Sequence, residues 1–150
     1  MRALVHLILP AFLLGAAITP AAEQPDSTTD AEVRAVLTAQ EQAWNRGDID
    51  GFMQGYAKSD DTIFAGSDFQ RGWQNVRDRY AKIYDTREKM GTLTFSDLKI
   101  TLLSPDTALV FGQWQLQRAK DHPHGWTTLI LRKLPTGWRI VHDHSSAAKE

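Results

Sequence analysis

The sequence predicts one α+β domain in which three N-terminal helices cover a single curved antiparallel sheet. Between residues 29 and 84, apolar residues recur at intervals of three or four, as on helices that bury one face. From residue 92 onward the chain changes to long β-rich stretches separated by turn residues. A chain of 150 residues has room for one domain, and no linker or repeat interrupts residues 30–147.

The N-terminal segment has the pattern of a targeting sequence. Arg2 precedes an almost unbroken apolar run at residues 7–18, which is followed by small residues. A helix of about twelve residues reaches about 18 Å, too short for a hydrocarbon core of about 30 Å. We expect a signal peptide at residues 1–22, a polar linker at 23–29, and a periplasmic or secreted product that leaves the membrane after cleavage. The alternative is a buried N-terminal helix, which the polar linker argues against.

The composition excludes several function classes. The chain has no cysteine, so disulfides, thiolate metal sites, a cysteine nucleophile and a lipoprotein anchor are excluded. It has 17 basic and 18 acidic residues, and removal of residues 1–22 takes away only Arg2, which leaves 16 against 18 and a net charge near -2. That balance argues against nucleic acid as a partner.

Two helices are predicted first. Thr29 and Glu32 have the spacing of a capping box, which places a helix start there. Gly47 offers the left-handed residue that ends such a helix, and Asp48 caps a second, shorter one. The apolar faces of the two helices carry Val33, Val36, Leu37 and Trp44, then Ile49, Phe52, Met53 and Tyr56.

The rest of the chain alternates once more before the sheet begins. Residues 62–65 are predicted to form a short strand and 66–72 a turn or small hairpin. A third helix follows, with apolar residues recurring from Trp73 to Tyr84, and Gly91 closes the connection to the sheet. Four strands of an antiparallel meander follow, at about 93–103, 107–118, 126–134 and 138–146.

Two segments resemble the SnoaL-like members of the nuclear transport factor 2-like superfamily. The sequence AWNRGD at residues 43–48 is similar to the A-W-x-x-G-D ending of their first helix, and GWRIVHDHSS at 137–146 resembles their last strand. The resemblance covers about residues 30–147 and implies a cone around a pocket. Members include ketosteroid isomerases, polyketide cyclases and scytalone dehydratase. Both motifs also occur in relatives of the association domain of calcium/calmodulin-dependent kinase II, which is a non-catalytic oligomerisation and binding domain.

The expected strand registers assign side chains to the inner face of the cone. A two-residue turn at residues 105–106 would fix these registers. The inner face would then carry Leu98, Ile100, Leu102, Leu109, Phe111, Gln113, Gln115, Thr128, Ile130, Ile140, His142 and His144. Its polar members cluster on neighbouring strands, and burying them without partners would cost about 1–3 kcal/mol each. We therefore expect them to line a ligand cavity; the alternative is that the two histidines bond each other's neighbours at the cone mouth.

His142 and His144 are the candidate catalytic residues, because residues two apart on a strand share a face. A histidine can remove a proton beside a carbonyl when a carboxylate or phenol positions it. By the same alternation Asp143 is expected on the opposite face. The candidate partners and pocket residues are Tyr56, Asp61, Tyr80, Tyr84 and, as a ligand-stacking residue at the inner rim, Trp126. Plain core packing is the alternative for the tyrosines and for Trp126.

The resemblance suggests a reaction type but no cofactor. Ketosteroid isomerases pair a carboxylate base with acidic oxyanion donors, and the sequence places no aspartate on the expected inner face of the long strands. A histidine-assisted dehydratase or cyclase, similar to scytalone dehydratase, is compatible with the sequence, but binding without catalysis is the favoured interpretation. His122 and His124 form a second H-x-H pair beside His142 and His144, but this spacing alone is too common to predict a metal site. We predict neither a metal nor a cofactor.

The opposite sheet face is expected to be apolar and to bind a second copy of the chain. It would carry Val110, Trp114, Leu116, Leu129, Leu131 and Val141, too much apolar surface to leave wet. We expect a homodimer through this face. The sequence is interpreted as an exported small-molecule-binding protein, whether or not it is a lyase or isomerase; the alternative is a non-catalytic oligomerisation or peptide-binding module. A cavity of about 300 Å³ or more would favour the first.

Overall fold

The computed structural model describes residues 27–148. The predicted signal peptide at residues 1–22 and most of the predicted linker lie outside the described residues. The helices and strands are α1 (Ser27–Asn45), α2 (Ile49–Met53), β1 (Ile63–Ala65), β2 (Phe69–Arg71), α3 (Trp73–Ile83), α4 (Arg87–Met90), β3 (Thr92–Ser104), β4 (Thr107–Gln117), β5 (His124–Leu134) and β6 (Gly137–Ser145). Within these residues no helix is long and apolar enough to cross a membrane.

The α+β fold predicted from the sequence is confirmed. Six strands form one sheet in the order β2-β1-β6-β5-β4-β3, and β3 to β6 make the expected antiparallel meander. The short strand β1 runs parallel to β6 and antiparallel to β2. The helices α1, α2 and α3 cover one face of the curved sheet and bury the hydrophobic core against it.

The first two helices follow their capping signals with small differences at the ends. α1 begins at Ser27, two residues before the predicted start at Thr29, and Gly47 ends it with φ 81°. The Asp48 carboxylate caps α2 by accepting a hydrogen bond of 2.7 Å from the Gly51 amide. α2 stops at Met53, before the predicted end near residue 56, because the following backbone joins the sheet. There the Ile140 amide donates to Gly55 O and the Ala57 amide donates to Ile140 O, both at 2.8 Å.

The helix α4 was not predicted. The Thr86 hydroxyl accepts a hydrogen bond of 3.2 Å from the Lys89 amide at its start, and Gly91 ends it with φ 64°. The segment is four residues long, too short to show a helical period in the sequence. Gly91 does close the connection to the sheet, as expected.

The first long hairpin has register shifts between Ser96 and Lys99 and between Leu102 and Ser104, and the β-bulge at the latter, next to the turn, displaces the pairing by one residue. Ser104 pairs with Thr107 across the two-residue turn, as predicted. Leu103 is then an extra residue, so Ile100 pairs with Val110, one position away from the partner that the turn alone would give. The inner side chains of β4 are therefore the even-numbered ones.

A bulge in the last hairpin, at Val141, exchanges the side chains of β6 between the two faces of the sheet. Ile130 pairs with His142, but the next residue, Leu131, pairs with Ile140, which leaves Val141 without a partner on β5. Before the bulge the even-numbered side chains face the helices, and after it the odd-numbered side chains do. Ile140 is accordingly buried in the core, whereas His142 points to the outer face.

The two bulges exchange most of the sheet faces that the sequence predicted. Leu98, Ile100, Leu102 and Ile140 do face the helices, but they share that face with Val110, Trp114, Leu116, Leu129 and Leu131. The expectation that these last five residues form an outer dimer face is wrong. The outer face carries Leu109, Phe111, Gln113, Gln115, Trp126, Thr128, Ile130, His142 and His144, and Val141 lies in the bulge.

Candidate functional site

A cavity of about 460 Å³ lies between the helices and the inner face of the sheet. Its walls are mostly aromatic and aliphatic: Trp44, Phe52, Phe64, Leu93, Phe95, Trp114, Leu116, Leu129 and Ile140. Trp44 makes edge-to-face contacts with Phe52 and Tyr80, at ring-centroid distances of 5.1 and 6.1 Å. These contacts hold the rings in fixed orientations around the space they enclose. The volume is within the range of sites that bind small organic ligands.

One end of the cavity carries a buried carboxylate, that of Asp143. The residue is 4% exposed. The Tyr56 hydroxyl donates a hydrogen bond of 2.6 Å to Oδ2, and the Ser145 hydroxyl donates one of 2.7 Å to Oδ1. Both carboxylate oxygens therefore have a partner, as a buried acid requires.

Two further hydroxyl groups extend this network. The Tyr80 and Tyr56 hydroxyl oxygens are 3.2 Å apart, and either group can donate. The Ser145 hydroxyl also lies 3.0 Å from the Thr127 hydroxyl. Asp143, Tyr56, Tyr80, Ser145 and Thr127 all line the cavity. They form one connected polar group, called here the Asp143 network, in an otherwise apolar chamber.

Three elements bring the Asp143 network together. The bulge at Val141 turns Asp143 toward the helices, and strand alternation then turns Ser145 the same way. Tyr56 follows α2 and forms a parallel bridge with Ile140, the residue immediately before the bulge. Tyr80 projects from α3. Each partner of Asp143 is thus fixed by backbone hydrogen bonds of its own.

Burial sets the protonation behaviour of the network. Burial raises the pKa of Asp143, an effect that the hydrogen bonds from Tyr56 and Ser145 and the electrostatic interactions with His142 and Arg79 oppose in part. Burial, together with the negative charge of Asp143, also raises the pKa of Tyr56 and of Tyr80 well above 10. Both phenols therefore keep their protons at neutral pH and act as hydrogen-bond donors.

Arg79 lines the same cavity from α3. Its Nε donates a hydrogen bond of 2.7 Å to Oδ1 of Asp68, which lies in the turn between β1 and β2. The guanidinium carbon lies 4.1 Å from the centroid of the Phe64 ring. The side chain is 11% exposed, which is low for an arginine.

The segment after β6 closes part of the cavity. Ser146 and Ala147 line it. The Ser146 amide donates to Trp126 O at 2.9 Å, and the Trp114 indole donates to Ser146 O at 3.0 Å. This tail packs directly over Gly125, where a Cβ atom would collide with the Ser146 carbonyl oxygen. Gly125 thus allows the close approach of two backbones.

The two histidines predicted to be catalytic do not form the polar end of the cavity. His142 is half-buried on the outer face, between Ile63 and Ile130 of the neighbouring strands. His144 is exposed and borders the cavity only at its rim. The bulge at Val141 is the physical reason, because it shifts the alternation by one residue. The expectation that His142 faces inward and Asp143 outward is wrong.

Most of the other predicted pocket residues also lie outside the cavity. Gln113 and Gln115 line a separate groove on the outer face, where the side-chain amide of Gln113 donates a hydrogen bond of 3.1 Å to the Asp97 carboxylate. Thr128 is half-buried and Trp126 is 48% exposed on that face. Asp61 is exposed and pairs with Arg71. Of the predicted tyrosines, Tyr56, Tyr80 and Tyr84 all line the cavity.

Sequence reasoning missed Asp143, Ser145, Thr127 and Arg79. The first three share the faces that the two bulges exchange, so alternation placed them outside. Arg79 follows the polar face of α3 in sequence, and only its contacts with Phe64 and Asp68 show that it is buried. Within residues 27–148, no cluster of histidine, aspartate and glutamate could hold a metal ion.

Comparison with known proteins identifies the fold family. The SnoaL-like domain profile matches residues 33–150. The crystal structure of an NTF-2 like protein of unknown function from Shewanella oneidensis is 39% identical, covers 78% of this chain and 98% of that chain, and superimposes with a TM-score of 0.74. No curated protein matches the chain.

Two more distant structures show the fold alone. A protein of unknown function with a cystatin-like fold from Nostoc punctiforme is 13% identical and has a TM-score of 0.71, over 85% of this chain and 97% of that one. A ketosteroid isomerase-like protein from Erwinia carotovora atroseptica is 21% identical and has a TM-score of 0.65, over 80% and 96% of the two chains. By its sequence and its fold, the chain belongs to the SnoaL-like domain family of the nuclear transport factor 2-like superfamily.

Proposed function

We propose that this chain binds an apolar small molecule inside the cone, with the Asp143 network holding a polar group of the ligand. The observation that carries the proposal is the buried carboxylate of Asp143 at the end of a cavity of about 460 Å³. Burying a carboxylate costs stability unless hydrogen bonds replace its water, and the raised pKa of Asp143 indicates that its two hydrogen bonds compensate only in part. Apolar walls with a few convergent polar groups are typical of small-molecule sites.

The network can respond to a change of protonation at Asp143. When Asp143 is charged, Tyr56 donates to it and Tyr80 can donate to Tyr56. When Asp143 is protonated, the chain of hydrogen bonds can reverse, and the Tyr80 hydroxyl is then free to donate to a ligand oxygen. Asp143 can accept a proton from a ligand, and Tyr80 can stabilise the negative charge that develops on a ligand carbonyl.

These roles extend the proposal to a lyase or isomerase-type reaction. The acid–base group is Asp143 instead of His142 or His144. A raised carboxyl pKa suits a group that exchanges a proton with a ligand near neutral pH. The objection to an isomerase mechanism, that no aspartate faces inward, therefore no longer applies.

The alternative function, a non-catalytic oligomerisation or peptide-binding module, is less well supported. In such a module, side chains would fill the cone. The cavity volume of about 460 Å³ exceeds the threshold of about 300 Å³ that would favour a small-molecule site. The walls also keep an unfilled space next to Asp143, a feature that a purely structural domain does not need.

Native mass spectrometry of the chain purified from its own host tests the proposal. We expect a bound small molecule on the unmodified chain and on His142→Gln, and at least about tenfold lower occupancy on Asp143→Asn. His142 and Asp143 are neighbours on opposite faces, so each controls for the other. An unmodified chain without a small molecule, or equal losses in the two variants, would contradict the proposal.

We further propose that the chain is exported, on the basis of the pattern at residues 1–22. The same mass spectrum tests this proposal, because cleavage should follow Ala21 or Ala22. An intact Met1 on protein recovered from the periplasm or the medium would contradict it.

A further inference from the structure

We infer that the ligand is an organic anion, and that Arg79 binds its negatively charged group where this side chain borders the cavity. The inference rests on the proposed function, because it concerns the same cavity. It assigns a negative charge to the ligand, a property that the Asp143 network alone does not define.

Arg79 is held in place by contacts that leave part of its guanidinium group unused. Its Nε donates to Asp68, and its plane lies over the Phe64 ring. Among residues 27–148, no protein oxygen accepts a hydrogen bond from its two terminal nitrogens. The terminal nitrogens of an arginine form a planar fork whose geometry matches a carboxylate, phosphate or sulfonate.

Arg79 presents this fork beside the cavity. The side chain is 11% exposed and borders the cavity. Among residues 27–148, its terminal nitrogens are not among the buried polar atoms that lack a partner, so they remain accessible to a ligand or to water. One carboxylate, from Asp68, meets Nε, so the remaining donors can bind a second anion.

Arg77 of the same helix shows the ordinary behaviour of an exposed arginine. It pairs with Asp50 at 2.9 Å and with Asp78 at 3.3 Å, and its side chain is 33% exposed. It does not line the cavity. Arg77 and Arg79 are the same residue type on the same helix, but only Arg79 is mostly buried and lines the cavity.

The position of Arg79 fits a ligand that touches both Arg79 and the Asp143 network. Phe64 lies under Arg79 and is the strand partner of Asp143 on β6. Arg79 attracts an anionic group, and the positive charge of Arg79 also acts on Asp143. A ligand anchored at Arg79 by its charged group lays its apolar body along Trp44, Trp114 and Leu129.

The experiment is isothermal titration calorimetry with three probes of the same apolar body: 2-naphthoate, neutral 2-naphthamide and the cation 2-naphthylmethylammonium. We expect the unmodified chain to bind 2-naphthoate about tenfold or more tightly than 2-naphthamide, and the cation most weakly. Arg79→Gln should remove the preference for 2-naphthoate and leave the affinity for 2-naphthamide within about twofold. Arg77→Gln should change neither affinity.

The outcomes separate this inference from the proposed function. Equal binding of the three probes, tighter binding of the cation, or equal loss of 2-naphthoate and 2-naphthamide in Arg79→Gln would overturn the anion site and leave the cavity proposal standing. No binding of any probe at millimolar concentration would contradict both. If Arg79→Gln does not fold, Arg79→Lys keeps the charge and removes the fork; it should keep part of the preference, and unchanged affinity would overturn the role of the fork.

Discussion

At the scale of single residues, the molecule is organised around a carboxyl group that is costly to bury. Asp143 has two hydroxyl donors, Tyr56 and Ser145, and its exposed fraction is only 4%. The two hydrogen bonds favour the charged form and burial opposes it, and burial is the larger effect because the pKa of Asp143 is raised. The charged form therefore weakens the folded state relative to the protonated form.

The raised pKa of Asp143 predicts the direction of a pH effect on stability. The unfolded-state pKa of an aspartate is about 3.9, and between that value and the higher folded-state pKa the folded chain binds more protons. The contribution of Asp143 to the free energy of unfolding therefore falls as the pH rises through this window. Asp143→Asn should be more stable relative to the unmodified chain at pH 7 than at pH 4, as measured by urea unfolding.

Asp106 provides a control of opposite sign. Hydrogen bonds from Ser104, Thr107 and Arg132 lower the pKa of Asp106, so its stabilising contribution is present above the unfolded-state pKa and is lost as the pH falls. Asp106→Asn should lose more stability at pH 7 than at pH 3. An effect of Asp143→Asn with the same sign as that of Asp106→Asn would show that burial does not dominate at Asp143.

At the scale of secondary-structure elements, the tail after β6 forms a wall of the cavity. Its backbone joins β5 through hydrogen bonds from the Ser146 amide to Trp126 O and from the Ala148 amide to His124 O. Gly125 is the position on β5 that lets the tail approach. The docking of the tail against β5 therefore requires a glycine at position 125.

Gly125→Ala should detach the tail from β5. The added Cβ would lie 2.8 Å from the Ser146 carbonyl carbon and 3.1 Å from the Ala147 Cα, which are backbone atoms that cannot rotate away. We expect a loss of about 1–3 kcal/mol in the free energy of unfolding, from displaced backbone and broken hydrogen bonds. Hydrogen exchange checks the cause, because the Ser146 and Ala148 amides should lose protection. Unchanged protection of both amides would contradict the role of Gly125.

The order of the elements could be predicted from the sequence, whereas the faces of the strands could not. Caps and helical periodicity predicted α1 and α2, and turn residues predicted the four long strands, because these signals are local. The bulges at Leu103 and Val141 have no such signal, since neither residue is a glycine or a proline. Each one-residue shift moves every following side chain to the other face, so the inner and outer sets were exchanged.

The same reason explains what was predicted of the site. Helical periodicity predicted the inward positions of Tyr56 and Tyr80, and both line the cavity, although Tyr56 lies just after α2 and bridges to Ile140. The polar set of Gln113, Gln115, Thr128, His142 and His144 does share one face, as expected, but that face is the outer one. The distinction between inner and outer depended on the alternation through the two bulges.

At the scale of the whole molecule, the outer sheet face remains the surface that we propose for a homodimer. Phe111 and Trp126 are 41% and 48% exposed, and their rings stack with centroids 5.1 Å apart. Leu109 and Ile130 are strand partners on the same face. Apolar side chains grouped on an exposed sheet face suit a symmetric contact with a second copy.

Trp126→Glu should give a monomer that keeps its fold. The charge would enter the centre of the proposed contact but stay in water in the single chain. Trp114→Glu differs, because Trp114 faces the cavity and its substitution should unfold the chain. Sedimentation and circular dichroism measure the two effects. A monomeric unmodified chain at micromolar concentration would contradict the dimer.

Binding of the ligand inside the cone can be measured directly by an NMR titration that follows the indole N–H signals of the five tryptophans. Trp44 and Trp114 line the cavity, and Trp126 lies on the outer face. On addition of 2-naphthoate we expect the Trp44 and Trp114 signals to shift together, with the Trp126 signal unchanged. A shift of the Trp126 signal with Trp44 and Trp114 unchanged would place the binding site on the outer face and contradict the account.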